Sequence, residues 1–553
     1  MKTKPFRHTK WWTIAVFAIT LIMGSCQKQD LPIENNESLL SINSAARTGE
    51  NIPFLDGGNT LLGESKQNPY TVSNMTAAWQ SLSNRGVTTS SATNVHTTHY
   101  YVKFKLQTSD QYEELHKDTT LTFSDLPIES AVTQNGDYYH DPSLPDSVPT
   151  YQYTAVKTNY QFPDGIPYEI IDNLYIPEID GIFNYEKGGT EDLFVNKLLN
   201  QAYTQTGNYE DTIPLINSVQ IEARKYTPGG RIRVFDTRLQ QWIGMEGVRV
   251  EARRWFIIYS AYTDFNGNYR MNDRYKNATN YSIWFARETF SVRHNLVNTT
   301  FWINGPKIEG DWNYDLNNEY QRFAGHVFRG AFRYHNKNIG GLQRPWLPSK
   351  RQVYVAKDGV KDWSGVNWIV LPVIRIARYG VETGEYDSDE IFSTTCHETG
   401  HSSHVLRMNG GVIQYWQVGR QLQESWPIAL EWFLSHLEYA ERGINNYGEW
   451  NYSPANPPQF PNDQAYQYWN LGVDSWYTSL YINIADNVNE FNQPFFGWGL
   501  GTVNDQVTGY TLPLFERRML KHCYGLSSLG TQLKNNRPAG VTNAQIDLLL
   551  SSY

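Results

Sequence analysis

The sequence predicts a multidomain α+β protein: an N-terminal α/β unit over residues 71–228, a central β-sandwich over 229–305 and a mainly α C-terminal domain over 306–553. Three observations lead there. A chain of 553 residues exceeds one ordinary domain. Its composition, 40% apolar and 14% aromatic, supplies material for several cores. The hydrophobic pattern changes character twice, first at Pro228-Gly229-Gly230 and again near Gly305. The net charge of -9 argues against a nucleic-acid partner, which calls for a basic face.

Residues 1–25 read as an export signal: a basic start, MKTKPFRHTK, precedes a short apolar run ending in Met23-Gly24-Ser25-Cys26. That ending resembles the lipobox of bacterial lipoproteins, although Met23 departs from the usual residue. The resemblance implies a lipidated Cys26, membrane attachment through the lipid, and an exported lipoprotein of the outer membrane on its periplasmic or cell-surface side. Residues 26–70 are polar and rich in Asn, Ser and Gly, as expected of a flexible tether. Cys396 and Cys523 are too few and too distant for a disulfide framework and are expected to be separate buried thiols.

From residue 71 helix and strand patterns alternate. TVSNMTAAWQSL reads as a helix capped at Ser73, THYYVKFKL as a strand, SDQYEELHKD as a helix, LTFSDLPI as a strand and EDLFVNKLLNQAY as a helix. No chemistry is apparent in this unit, and scaffolding is its default role. RIRVFD, GVRVEARRW, YTDFNGNYRM and YSIWFA then form short alternating runs with an Asn-Gly turn, the pattern of a β-sandwich. Gly230, Asp236, Gly247, Val248, Val250, Thr263, Asp264, Asn266, Gly267 and Tyr269 make it resemble the carboxypeptidase regulatory-like, prealbumin-type fold. Val366 to Gly380, VNWIVLPVIRIARYG, is an apolar strand candidate ahead of the next helix.

That helix carries the chemistry. Asp387 can cap it with Glu390 in a capping box, and Asn409-Gly410-Gly411 stops it. His397 and His401 are i and i+4, so both imidazoles face one way and can converge on an ion; Glu398 lies beside them as a base. This is an H-E-x-x-H pattern. Two histidines leave a catalytic zinc short of one ligand. His404 lies about 10 Å along the axis from His397, too far to complete the site. It also stands where the metzincin pattern has Gly, with Arg407 where that pattern has His. His404 is expected as an outer contact, a cleft wall or a surface histidine.

The next amphipathic helix begins near Gln421 and presents Glu424 and Glu431 two turns apart on one face. His397, Glu398, His401 and the E-S-W-P-I-A-L-E stretch resemble the gluzincin zinc metallopeptidases. The resemblance implies a zincin-like catalytic domain with zinc held by His397, His401 and Glu424. Glu431 would orient an imidazole or brace the helix, Glu431 as ligand being the alternative. The Asp that thermolysin-like enzymes place four residues after the ligand is absent, Ile428 standing there. The implied activity is hydrolysis of peptide bonds, Glu398 taking the proton of the attacking water, on extracellular proteins or glycoproteins, the latter by likeness to enhancin-like and mucin-targeting enzymes. Val366 to Tyr379 would lie where zincins keep the edge strand that pairs with an extended substrate. His436, Tyr477 and Tyr481 are all candidates for the oxyanion partner. The alternative function is a catalytically silent, zinc-containing surface binding or adhesion lipoprotein, which has no use for the base Glu398.

Overall fold

The computed structural model describes residues 58–86, 95–179, 190–213, 226–294, 300–344, 351–361, 364–367, 373–380, 384–444, 478–489, 491–492, 494–495 and 499–553. The leader, Cys26, most of the tether and Tyr477 lie outside the described residues. The fold is mixed α and β with several separate sheets, consistent with a multidomain α+β protein. Among the described residues no helix is long and apolar enough to cross a membrane.

Residues 58–70 are ordered packing rather than the end of a tether. Strand β1 (Leu61–Ser65) pairs antiparallel with β3 (Ser130–Gln134). Tyr70 is fully buried, and its hydroxyl reaches Glu178 at 2.7 Å and Tyr203 at 2.9 Å. An antiparallel sheet follows in the order β4 (Gln152–Lys157), β2 (His99–Phe104), β5 (Tyr168–Leu174). Helix α1 (Val72–Asn84) packs on α3 (Thr190–Gln205), and α2 (Ser109–Leu115) lies between β2 and β3 in the chain. The cap of α1 is Thr71, whose hydroxyl accepts from the Asn74 N–H at 3.1 Å, not Ser73. Thr71 wins because it precedes the first helical residue in extended conformation, the geometry an N-cap needs. The LTFSDLPI segment makes only an isolated bridge, Ser124 with Tyr153, because Pro127 has no N–H for a ladder and Asp125 turns the chain inward.

Two four-stranded sheets come next. One is β10 (Asn268–Arg270), β6 (Gly229–Asp236) and β14 (Trp312–Leu316), with β7 (Gln241–Gly244) also on β6. The other is β13 (Trp302–Ile308), β11 (Thr279–Trp284), β8 (Arg249–Arg254) and β9 (Ile257–Tyr262), antiparallel throughout. Alternation along β6 turns Ile232, Val234 and Asp236 inward. The Asn266-Gly267 turn closes because Asp264 accepts from the Asn266 and Asn268 N–H groups at 2.9 and 2.8 Å. Gly267 takes φ +81 there, and a Cβ would lie 2.0 Å from the Ile232 carbonyl oxygen. The strands cross the expected boundary at 305: β13 and β14 belong to these sheets, whereas β12 (Phe290–Arg293) leaves for another. The β8–β9 turn drives Trp255, at φ +52, and Phe256 into the aromatic core around Tyr70 and Tyr101.

The C-terminal part has a five-stranded sheet in the order β12, β15 (Gln352–Lys361), β17 (Val373–Gly380), β16 (Gly365–Asn367), with β18 (Gly384–Glu385) also on β17. The expected strand from Val366 to Gly380 is therefore two strands in antiparallel pairing, Val366 opposite Ile374. Residues 368–372 between them lie outside the described residues, and Pro372 among them has no N–H to donate to a ladder. Nor is β17 an edge, since β15 flanks one side and β16 and β18 the other.

Helices α4 (Glu319–Asn336), α5 (Ser388–Arg407), α6 (Val412–Tyr415) and α7 (Arg420–Glu441) follow. After them come α8 (Leu480–Ala485), α9 (Leu512–Arg518), α10 (Leu526–Asn535) and α11 (Asn543–Ser551). Helix α5 packs between α4 and α7. Cys396 and Cys523 are separate buried thiols.

Buried ion pairs tie the elements together. Asp236 accepts from Arg329 at 2.9 Å and from the Tyr439 hydroxyl at 3.2 Å, joining β6 to α4 and α7. Glu438 on α7 faces Arg329 at 3.5, Arg333 at 3.6, Lys337 at 3.4 and Arg442 at 2.8 Å. Burial pushes the Glu438 carboxyl up, but Arg442, Arg329, Lys337 and Arg333 outweigh it and hold it well below its ordinary 4.5. Glu438→Gln removes the buried carboxylate that these cations share, although Asp236 still faces Arg329 and Glu441 still faces Arg333 and Lys337, and should destabilise the protein by about 3 kcal/mol in urea unfolding. A folded-state pKa below the unfolded one means the Glu438 contribution is present above pH 4.5 and lost as pH falls toward the folded value. The wild-type advantage over the variant should therefore shrink in acid.

Candidate metal centre

The capping box on α5 closes with the Asp387 N–H donating to Glu390 at 2.7 Å. The same end is tied to β6, where Ser388 and Thr237 exchange hydrogen bonds of 2.8 and 2.9 Å. Further along, the Tyr354 hydroxyl on β15 meets Thr399 at 2.9 Å and Ser402 donates to Gln352 at 3.1 Å. These ties fix the rotation of α5, so that His397 and His401 share one face with ring centroids 5.1 Å apart.

Helix α7 brings the third group. A Cβ on Gly400 would sit 2.7 Å from the Cα of Pro427 and 3.0 Å from its Cβ, so only glycine lets the two helices approach so closely. Trp426 anchors the crossing by donating to Ser403 at 3.2 Å. The result places Glu424 Oε2 3.2 Å from His401 Nε2 and 3.6 Å from His397 Nε2. His397, His401 and Glu424 are all buried, and their donor atoms lie within 4.8 Å of one another.

The far ring nitrogens are engaged as well. His397 Nδ1 meets Glu431 at 3.0 Å, and His401 Nδ1 meets the Tyr415 hydroxyl at 2.8 Å. Burial opposes charge on His397, but the Glu424 and Glu431 carboxylates outweigh it and push its pKa up to about 10. Burial raises the Glu424 carboxyl, and His401 and His397 more than reverse that, holding it well below the carboxylate range. With no ion, His397 thus holds its proton against the charged Glu424. When His397 loses it, Glu431 keeps the remaining proton on Nδ1 and leaves the Nε2 lone pair for a metal. Two imidazoles and one carboxylate, with outer partners on both rings, are a donor set that fits a zinc-type ion with an open position.

Glu398 is buried beside this group, and neither carboxylate oxygen accepts a hydrogen bond among the described residues. Burial raises its pKa, with His401 and His397 acting in the opposite sense. A carboxylate with free lone pairs and raised proton affinity is suited to take a proton from water.

The remaining expected residues are placed as follows. His404 is fully buried, so it is not a surface histidine; it stands outside the three-residue group with its ring edge-on to Tyr415 at 5.0 Å. Burial, and then His401, lower its pKa to about 3, leaving a neutral wall. Tyr481 is buried in the core with its ring against Trp426 and Phe515. His436 stacks on Trp432 further along α7. Neither joins the three donors. Tyr415 and Gln423 were not legible as site residues: no spacing rule links Tyr415 to His401, and the contact arises from the chain reversal at Gly410-Gly411.

No protein-family model matches the chain, and no curated protein matches it.

Gly400→Ala should force α5 and α7 apart, costing about 1–3 kcal/mol in stability and weakening zinc affinity, measured by competition with a chromophoric chelator. A second expectation concerns pH. With the His397 pKa pushed up to about 10 when no ion is bound, a zinc ion held by these residues would have to displace that proton. Affinity should rise about tenfold per pH unit across the neutral range, with one proton released, read by calorimetry in buffers of different ionisation enthalpy.

Proposed function

We propose that this chain is a lipid-tethered, zinc-dependent metallopeptidase of the gluzincin type, with a zincin-like catalytic region supported by a prealbumin-type sandwich and an N-terminal α/β unit. One observation carries the reading: two helices bring His397, His401 and Glu424 together with Glu398 beside them. His397, His401 and Glu424 would hold the ion, and Glu431 would keep the His397 imidazole oriented. When bound, zinc supplies Lewis-acid polarisation of a substrate carbonyl and lowers the pKa of water.

Glu398 takes the proton of the attacking water and delivers it to the leaving amine. Its burial keeps the proton affinity high enough for both transfers. Substrates are peptide bonds in extracellular proteins or glycoproteins, reached because the leader over residues 1–25 exports the chain and a lipid on Cys26 anchors it. A prealbumin-type module presents no catalytic group in this reading. It braces α5 and α7 through Asp236, Thr237, Arg329 and Tyr439.

Glu398→Gln should retain zinc at wild-type stoichiometry and lose peptide cleavage by about 10²–10⁴-fold, whereas Glu424→Ala should lose the zinc. Both are read by metal analysis and by a peptide-library digest. A zinc-loaded wild type that cuts no peptide, or cleavage equal in wild type and Glu398→Gln, sinks the peptidase reading in favour of a silent binding lipoprotein.

A further inference from the structure

The two imidazoles of the candidate centre are held by different chemistry. His397 leans on a carboxylate, Glu431, from the neighbouring helix; His401 leans on a phenol, Tyr415, from the short α6. A carboxylate partner adds negative charge next to the ligand set, while a phenol oxygen accepts the same N–H without adding any. A site with one partner of each kind leaves more positive charge on the ion than one with two carboxylates.

Tyr415 is held from three sides. Its hydroxyl meets His401 on α5 at 2.8 Å, and its carbonyl accepts from the Gln423 side chain on α7 at 2.8 Å. Its ring is edge-on to His404 at 5.0 Å and 80°. Gln423 is the residue next to Glu424, so Tyr415 links the helix that carries two donors to the helix that carries the third. The turn that delivers it begins at Gly411, at φ +58, and the Gln414 side chain caps the Gly410 N–H at 2.9 Å. Ile413 and Trp416 on the same turn are 67% and 58% exposed, so the inward Tyr415 rides on a segment open to solvent.

We propose that Tyr415 is a positioning residue of the metal centre, orienting His401 through Nδ1 and, with Gln423, holding the α5 and α7 donors in register. The inference rests on the zinc reading above and deepens it. A phenol that only fills space would be replaced by Phe without consequence, since the ring contact with His404 survives. A positioning phenol would not.

The test compares wild type, Tyr415→Phe and Gln423→Ala by zinc affinity, by the rate of zinc loss to excess chelator, by the visible spectrum of the cobalt-substituted proteins and by melting of the metal-free forms. Tyr415→Phe should bind zinc about tenfold or more weakly, lose it faster and show an altered cobalt spectrum, with metal-free melting lowered only by the one buried hydrogen bond removed. Gln423→Ala, which keeps the hydroxyl, should show a smaller loss in the same direction. If wild type holds zinc and Tyr415→Phe matches it in affinity, loss rate and spectrum, the inference is overturned and the zinc reading stands. If wild type holds no zinc, both fall. Should Tyr415→Phe fail to fold, Gln423→Ala decides: zinc affinity and loss rate equal to wild type overturn the inference.

Discussion

The close crossing of α5 and α7 at Gly400 and Pro427 is the constraint on which the site depends. Three donor atoms can meet only if two helices carrying them approach within the width of a missing side chain, and the 2.7 Å that a Cβ would leave to the Pro427 backbone measures how little room there is. Pro427 lies in the interior of α7, where its missing N–H weakens the helix locally. Its flat ring, however, gives Gly400 a smooth partner, and Trp426 beside it donates to Ser403 to fix the rotation. The same crossing seats Glu431 against His397, so Glu424 and Glu431 are both set against the histidines by one packing event.

The rest of the molecule acts as a frame for that crossing. Asp236 at the end of β6 meets Arg329 of α4 and Tyr439 of α7, and the neighbouring Thr237 holds the first turn of α5 through Ser388. Glu438 gathers Arg329 and Arg333 of α4 with Lys337 and Arg442 just past the ends of α4 and α7. Gly330 gives α4 its own close approach to α5, since a Cβ there would lie 2.7 Å from Thr395. The N-terminal unit is joined to this frame at several points, two of them prominent. Trp255 and Phe256 insert from the β8–β9 turn into its aromatic core, and Glu113 of α2 pairs with Arg293 and, at 2.8 Å, with Arg351 at the foot of β15.

Electrostatics at the centre follow from burial combined with carboxylate placement. Desolvation alone would discharge His397, Glu398 and Glu424; the geometry makes each respond differently. Glu424 and Glu431 reverse the effect on His397, the histidines reverse it on Glu424, and Glu398 retains it with no hydrogen bond to either oxygen among the described residues. Glu424 and Glu398, close to each other, thus take opposite proton affinities, the separation that an acid–base reaction needs.

The sequence by itself determined everything that repeats along one helix or strand: the cap at Asp387, the stacking of His397 on His401, the two-turn spacing of Glu424 and Glu431, and the alternation of β6. These follow from local geometry, which 3.6 and 2 residues per repeat encode directly. It misplaced features where local pattern competes with neighbours, as at Val366 to Gly380, which splits into paired strands, and at LTFSDLPI, where Pro127 leaves a single bridge. Only the tertiary structure decided which helix faces which. That Glu424 reaches both histidines, that Glu431 meets Nδ1 of His397, that His404 is walled off in the interior and that the Tyr415 hydroxyl meets Nδ1 of His401 all depend on a helix crossing and a chain reversal. Neither leaves a periodic trace, because contacts between elements are set by packing in three dimensions and not by separation along the chain.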